Sequence, residues 1–213
     1  MVKNLLNGYM FAKNRVIKAG YLAELRWQSQ LDFENITEHI FLREHAWVVL
    51  SSGMNEKVIR KHFRNISFCF YEWESAKKIS EMSKFCIESA MEIFSNHKKI
   101  SSIAKAAEIV DRIGFKTLKK QIMTNPIDVL MQFPFIGPIT SYHLSKNLGL
   151  PVAKADRHLQ RLADAVGYSS VQNFCNCIAE NIEDSIAVVD IVLWRYATIT
   201  TDYIKKFNHM ASF

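Results

Sequence analysis

The stretch 125–167 contains residue types that can bind a phosphate group. Gly137 and Pro138 follow the short sequence FPFI at 133–136 and open a predicted helix. Gly137 permits a close approach of the backbone or a positive φ, and the first amides of a helix have no partner within it. Such amides bind anions, and in a nucleic acid the anion is a phosphate. The alternative is a plain αα-hairpin with a glycine cap, which is common in helical proteins.

A carboxylate, Asp156, lies 19 residues beyond Gly137 and just before a predicted helix. Amides and the dipole at a helix start stabilise an ionised carboxylate. A carboxylate can also stabilise an oxocarbenium-like sugar and accept a proton from an attacking water, which is the chemistry of glycosidic hydrolysis. The alternative role for Asp156 is a helix N-cap, and the two roles are compatible.

Helices must position these residues, because apolar side chains recur at intervals of three and four along the chain. One such face consists of Ile186, Val189, Leu193 and Tyr196. With 7 Gly and 4 Pro, the chain has too few turn residues for a sandwich or barrel. The nearest approach to strand alternation, at 66–71, is short. The sequence therefore predicts an all-α protein.

Capping residues predict several of the helix boundaries. Asn125 followed by Pro126 is typical of a helix start, and Gly137 with Pro138 marks a second one. Gly149 marks an end. Asp156 and Gly167 bracket a further helix.

Composition limits the class of protein. The chain has 213 residues, 49% of them hydrophobic, so it can bury a full core and is not disordered. The formal net charge of +6 fits an anionic partner but is weak evidence alone. Four cysteines lack the spacing of a disulfide framework or a zinc site, and the apolar stretches are too short to span a bilayer. We therefore expect a soluble, cytoplasmic protein with reduced thiols.

The stretch 125–167 resembles the helix–hairpin–helix (HhH-GPD) DNA glycosylases, the superfamily of endonuclease III and of the adenine, oxoguanine and alkylpurine glycosylases. The family hairpin reads LPGxG and this chain has FPFIG at 133–137; the family motif VDTHxxR is matched by ADRHLQR at 155–161. Weaker matches are 45–63, which resembles the early helix pair with its LSxQ turn, and 189–196, which resembles the closing helix.

The resemblance covers roughly residues 36–205 and implies a two-lobed, all-α fold with a DNA-binding cleft between the lobes. Residues 1–35 would form an N-terminal helical extension, and the helix–hairpin–helix would lie at about 126–148. The implied partner is double-stranded DNA, with no membrane, for a monomer that associates with the nucleoid when bound to DNA.

The chain departs from the family pattern at several positions. Phe135 replaces the first hairpin glycine, and Ile139 stands where bifunctional members have a nucleophilic lysine. Gly53 replaces the wedging glutamine, and Trp47 aligns with the glutamate of adenine glycosylases. Only two cysteines follow Asp156, so no iron–sulfur cluster is expected. The resemblance therefore implies a monofunctional enzyme without a cofactor. It also allows a monovalent cation to bind at the hairpin.

The resemblance also implies roles for individual residues. The catalytic residue is Asp156. The DNA-binding residues are Phe135, Gly137, Ile139, Thr140, Lys146, Lys154, Arg157 and His158. The residues of the base pocket or wedge are Trp47, Met54, Asn55 and Tyr142. For each there is a plainer alternative: the aromatic residues can belong to the core, the charged residues to a solvated surface and His158 to a satisfied helix position.

The function predicted from these residues is a DNA glycosylase that removes a damaged or modified base and leaves an abasic site. The family branch favours alkylated purines slightly, and a modified pyrimidine or a hypermodified phage base stays open. One alternative is a non-catalytic module that uses the hairpin only to bind DNA. The other is a bifunctional glycosylase/lyase that uses another lysine.

Overall fold

The structure is a computed structural model that describes residues 2–211. Within that stretch every regular element is helical and no strand is present, which confirms the all-α prediction. The α-helices are α1 (Val2–Lys18), α2 (Leu22–Ser29), α3 (Glu38–Ser51), α4 (Glu56–Cys69), α5 (Ala76–Glu81), α6 (Ser83–Ile93), α7 (His97–Ile113), α8 (Phe115–Thr124), α9 (Pro126–Leu130), α10 (Pro138–Asn147), α11 (Arg157–Ala165), α12 (Val171–Ala179), α13 (Ile186–Ile199) and α14 (Tyr203–Met210).

The helices form two compact units. Unit 1 combines the described residues up to 32 with those from 149 onwards, and unit 2 consists of residues 33–148. The N-terminal helices α1 and α2 therefore belong to the same unit as α11–α14.

Unit 1 is built around α13, which is buried on nearly all sides. Helix α1 packs against it through a stripe of buried side chains at helical spacing, Leu5, Tyr9, Ala12 and Val16. Polar contacts also stabilise this packing: the Arg195 guanidinium on α13 donates two hydrogen bonds, of 2.9 and 2.7 Å, to the Glu24 carboxylate on α2.

Unit 2 is built around α3 and α7, which pack against each other and between them contact most of the other helices of the unit. The link between α4 and α5 is unusual, because Tyr71, Glu72 and Trp73 all have positive φ values. The buried Trp73 ring stabilises this left-handed turn by stacking on Phe70 at 5.2 Å, and its Nε1–H donates to Ser67 Oγ at 3.0 Å.

Local sequence explains most helix ends. Pro126 and Pro138 occupy first turns, where the missing N–H removes no helical hydrogen bond. Gly149 and Gly167 have φ values of +85° and +84° beyond the ends of α10 and α11, as helix C-termini favour. None of the helices within residues 2–211 combines the length and apolar character that crossing a membrane requires.

Candidate functional site

Residues 131–137, the hairpin, join α9 to α10 through a tight turn. The Ile136 N–H donates to the Phe133 carbonyl at 3.1 Å, and Phe135 has a φ of +68°. A hydrogen-bonded turn with proline second and a positive φ third has the pattern of a type II turn. The proline at 134 fits its position, whereas the third position favours glycine. Phe135 is therefore the residue of the hairpin whose backbone conformation is strained.

Helix α3 anchors the hairpin in unit 2. The buried Phe133 ring lies 5.2 Å from Phe41 and 5.8 Å from His45, both on α3. The His45 ring is also hydrogen-bonded to the backbone of Pro134, although burial lowers the pKa of His45 to about 4. His45 is therefore a neutral side chain at neutral pH, and it links the core of the unit to the hairpin backbone.

The start of α10 differs in part from the sequence expectation. Gly137 has a φ of −112°, so the positive φ lies at Phe135 instead. A Cβ built on Gly137 would meet no described atom within 4 Å, so packing does not require a glycine there. The Gly137 N–H donates to Thr140 Oγ1 at 2.7 Å and is already used. No side chain caps the helix, and the leading amides are those of Ile139 and Thr140.

Lys99, a residue that the sequence reasoning missed, lies behind the hairpin. Its side chain is buried, and its ammonium donates to the carbonyls of Leu50 at 2.7 Å and Ser52 at 2.5 Å. These carbonyls close the C-terminus of α3, where the helix dipole favours a cation. The ammonium also lies 5.7 Å from the centre of the Phe135 ring. The sequence contains a signal for this burial, because Lys99 shares the apolar face of α7 with Ile103.

Residues 52–55, the α3–α4 turn, contain two of the predicted wedge or pocket residues. Met54 is exposed, and Asn55 caps α4 by accepting a hydrogen bond from the Lys57 N–H at 2.9 Å. Trp47 is half-buried on α3, with the Arg60 guanidinium 5.2 Å from its ring. Tyr142 is half-buried on α10.

Asp156 is the N-cap of α11, as the sequence predicts. Its Oδ1 accepts hydrogen bonds from the amides of His158 at 2.8 Å and Leu159 at 3.0 Å. The loop before it is held by two side chains of unit 1. The Gln172 amide oxygen accepts from the Ala153 N–H at 2.8 Å, and the buried Asp190 carboxylate accepts from the Lys154 N–H at 2.6 Å.

His158 packs beside Asp156 and not on open surface. Its Nδ1 lies 3.2 Å from the Tyr203 hydroxyl. Burial lowers the pKa of His158, with Arg157 and Arg161 acting in the same direction and the Asp156 carboxylate opposing them. His158 is therefore uncharged at neutral pH, which makes it a hydrogen-bonding group more than a cationic phosphate contact.

The predicted cations have different environments. Arg157 is exposed and Lys154 is half-buried. Lys146 is only 4% exposed, so the alternative of a solvated surface lysine needs correction, while its contact with a phosphate stays a prediction. Its place on the buried face of α10, with Ser141, Leu144 and Ser145, explains the difference.

The structure thus places the predicted residues in two groups. The hairpin, the start of α10, the α3–α4 turn and Trp47 belong to unit 2, together with Lys99. Asp156, Lys154, Arg157 and His158 belong to unit 1. Across residues 2–211, the His, Cys, Asp and Glu side chains form no group of three that could hold a metal ion.

Comparison with known proteins adds no family assignment. No protein-family profile matches the chain, and no curated protein has significant sequence similarity to it.

Proposed function

We propose that the chain is a monofunctional DNA glycosylase of the helix–hairpin–helix superfamily, which hydrolyses the N-glycosidic bond of a damaged or modified base in duplex DNA. The proposal takes the two compact units as the two lobes of that fold. It assigns phosphate binding to the hairpin and the first turn of α10, and stabilisation of the sugar cation to Asp156. Water is the nucleophile, and no cofactor takes part.

The observation that carries the proposal is the environment of the Asp156 carboxylate. Two backbone amides fix Oδ1, while Oδ2 has no hydrogen-bond partner among residues 2–211 and the side chain is only partly buried. A carboxylate held in this way can face a developing positive charge without reorganising, which is the main source of electrostatic catalysis. Its second oxygen can also accept a proton from water.

The same hydrogen bonds support a second candidate, a DNA-binding module without catalysis. Capping α11 gives Asp156 a structural role that needs no reaction. In that case the hairpin would bind phosphates and the aspartate would only begin a helix. The two candidates differ in what the negative charge of Asp156 does.

Replacement of Asp156 by asparagine separates the two candidates. Asparagine caps a helix about as well as aspartate, so we expect Asp156→Asn to keep the fold and the affinity for DNA. The excision rate should fall on the order of 10²–10³-fold, because the substitution removes one preorganised electrostatic group. Single-turnover excision and a binding isotherm, measured on the same duplex, test this expectation.

The substrate for that measurement must come from a panel of duplexes that each carry one altered base. Alkylated purines come first, followed by modified pyrimidines and hypermodified phage bases, and alkaline cleavage detects the abasic product. Asp164→Asn is the matched control. Asp164 is an exposed aspartate on the same helix, and its carboxylate accepts a hydrogen bond from Gln160. If Asp156→Asn excises at the wild-type rate, Asp156 is only a cap and the binding module is the better candidate.

A further inference from the structure

Phe135 occupies a backbone position that favours glycine. With a φ of +68° at the third position of the turn, its Cβ is strained against its own backbone. Glycine would form the same turn without this strain. The aromatic side chain is therefore present at a cost to folding stability, and such outliers are reasons to look for a function.

Burial offsets that cost only in part. Phe135 is 43% exposed, whereas Phe133, two residues earlier in the hairpin, is 3% exposed. Ile139 in the first turn of α10 and Met54 in the α3–α4 turn are also exposed, at 57% and 41%. The hairpin thus directs one aromatic ring into the core and presents the other at the surface.

The exposed Phe135 ring contacts a buried cation that is itself held in place. The ammonium of Lys99 lies 5.7 Å from the Phe135 ring centre and is itself fixed by the carbonyls of Leu50 and Ser52. This cation–π contact holds the ring beside the α3–α4 turn. The hairpin below it is anchored through Phe133 and through the bond between His45 and Pro134. Phe135 is therefore preorganised and gives up little freedom on binding.

Lys99 joins the hairpin to the α3–α4 turn, and both segments lead into apolar and positive groups. Immediately after Met54 and Asn55, α4 presents the exposed side chains of Lys57, Arg60 and Lys61. The uncapped start of α10 adds the amides of Ile139 and Thr140. Cations and amides suit phosphates, and an exposed apolar side chain next to them suits the base stack.

We propose that Phe135 is a wedge that enters duplex DNA at a step where base stacking is already broken, such as an abasic site or a bulge. The inference rests on the proposed binding of DNA. Insertion costs little at such a step, because no intact stack has to be opened. The ring then stacks on a neighbouring base, and the hairpin amides hold the adjacent phosphate.

Ringless variants test the wedge on two duplexes of one sequence. One duplex is intact, and the other has a tetrahydrofuran abasic analogue beside a 2-aminopurine, whose fluorescence reports unstacking. We expect Phe135→Asn and Phe135→Gly to bind the abasic duplex about tenfold more weakly than wild type and to abolish the fluorescence change. The loss of affinity should be smaller on the intact duplex, where the ring has no broken stack to enter. Both replacements tolerate a positive φ, so the turn should survive in at least one of them.

Two controls bracket the result. Phe135→Tyr keeps a ring and should bind the abasic duplex like wild type. Phe85→Asn removes an exposed ring from α6, in unit 2, and should change neither the affinity nor the fluorescence. If the wild type binds neither duplex, the proposed function fails and the wedge fails with it. If it binds both and the ringless variants match it in affinity and fluorescence, DNA binding stands and the wedge is refuted.

Discussion

His45 is a histidine that the folded protein keeps uncharged. Its ring lies against Phe41 and Phe133, and burial lowers its pKa to about 4. Between that value and its ordinary pKa the unfolded chain binds a proton that the native state does not. The contribution of His45 to stability is therefore complete above about pH 6.5 and is lost as the pH falls towards 4. The neighbouring Glu44 acts in the opposite sense, because burial raises the pKa of its carboxyl.

We predict that His45→Gln weakens the pH dependence of stability. Glutamine does not titrate and retains a donor for the Pro134 backbone. The wild type should lose up to about 3 kcal/mol more of its unfolding free energy than the variant between about pH 7 and pH 4. Urea unfolding at several pH values measures this difference. Replacement of the exposed His39 by Gln is the control; equal slopes for wild type and His45→Gln would contradict the prediction.

At the residue scale, the sequence predicts those features that depend only on neighbouring residues in the chain. Asp156 is recognisable as a helix cap because aspartate before a helix has a local signature. The positive φ at Phe135 is not recognisable in this way, because phenylalanine carries no signal for that conformation. The place of Lys99 on the apolar face of α7 can be read from the sequence, whereas its carbonyl partners come from the distant end of α3 and only the packed unit shows them.

At the scale of elements, the packing of α1 on α14 depends on a close approach at Gly8. A Cβ built there would lie 3.2 Å from the Ala211 Cβ and 3.2 Å from Phe207 Cζ, which is tighter than ordinary van der Waals contact. The two helices therefore meet where one of them has no side chain.

We predict that Gly8→Leu destabilises the protein by about 1–3 kcal/mol, because the added side chain overpacks this contact. Gly8→Ala should cost less, since the gain in helix propensity of about 1 kcal/mol opposes a small shift of Phe207. Denaturant unfolding measures both. Asn7→Leu places the same side chain at an exposed position of α1 and serves as the control. A Gly8→Leu variant as stable as wild type would show that α14 can move away without penalty.

Helix periodicity and capping predict the elements better than the links between them. The starts of α9 and α10 follow from Pro126 and Pro138, and the start of α11 follows from the Asp156 cap, because each of these residues acts within one turn. The left-handed link at 71–73 has no such local signal, since it depends on the buried Trp73 ring and not on glycine. The division into two units depends on contacts between distant parts of the chain, which periodicity does not encode.

At the scale of the whole molecule, the charge of +6 should make DNA binding sensitive to salt. Phosphate contacts release counterions, so we expect affinity to fall steeply between about 50 and 200 mM salt. Lys57→Ala with Lys61→Ala should lower the slope of log affinity against log salt by about one unit for each phosphate contact that these lysines make. Binding isotherms over a salt series measure the slope. The control is Lys77→Ala on α5, an exposed lysine paired with Glu81; a salt-independent affinity would remove phosphate binding from the proposal.

The second prediction at this scale concerns the DNA strand that the reaction leaves. Ile139 cannot form a Schiff base, and Lys146 is buried. We therefore expect an intact abasic strand that breaks only in hot alkali, and no covalent complex after borohydride treatment. Denaturing electrophoresis distinguishes the two products. A trapped complex that disappears in Lys154→Ala would identify a lyase nucleophile and replace the monofunctional assignment.

The composition of unit 1 from two distant stretches of chain has a consequence for synthesis on the ribosome. The apolar stripe of α1 is synthesised before unit 2 and packs against α12–α14, which are synthesised after it. Unit 2 is continuous and can complete its core during translation, while the stripe stays uncovered. A nascent chain that has not yet reached α13 therefore presents an amphipathic helix to chaperones, and the emergence of α12–α14 ends that exposure.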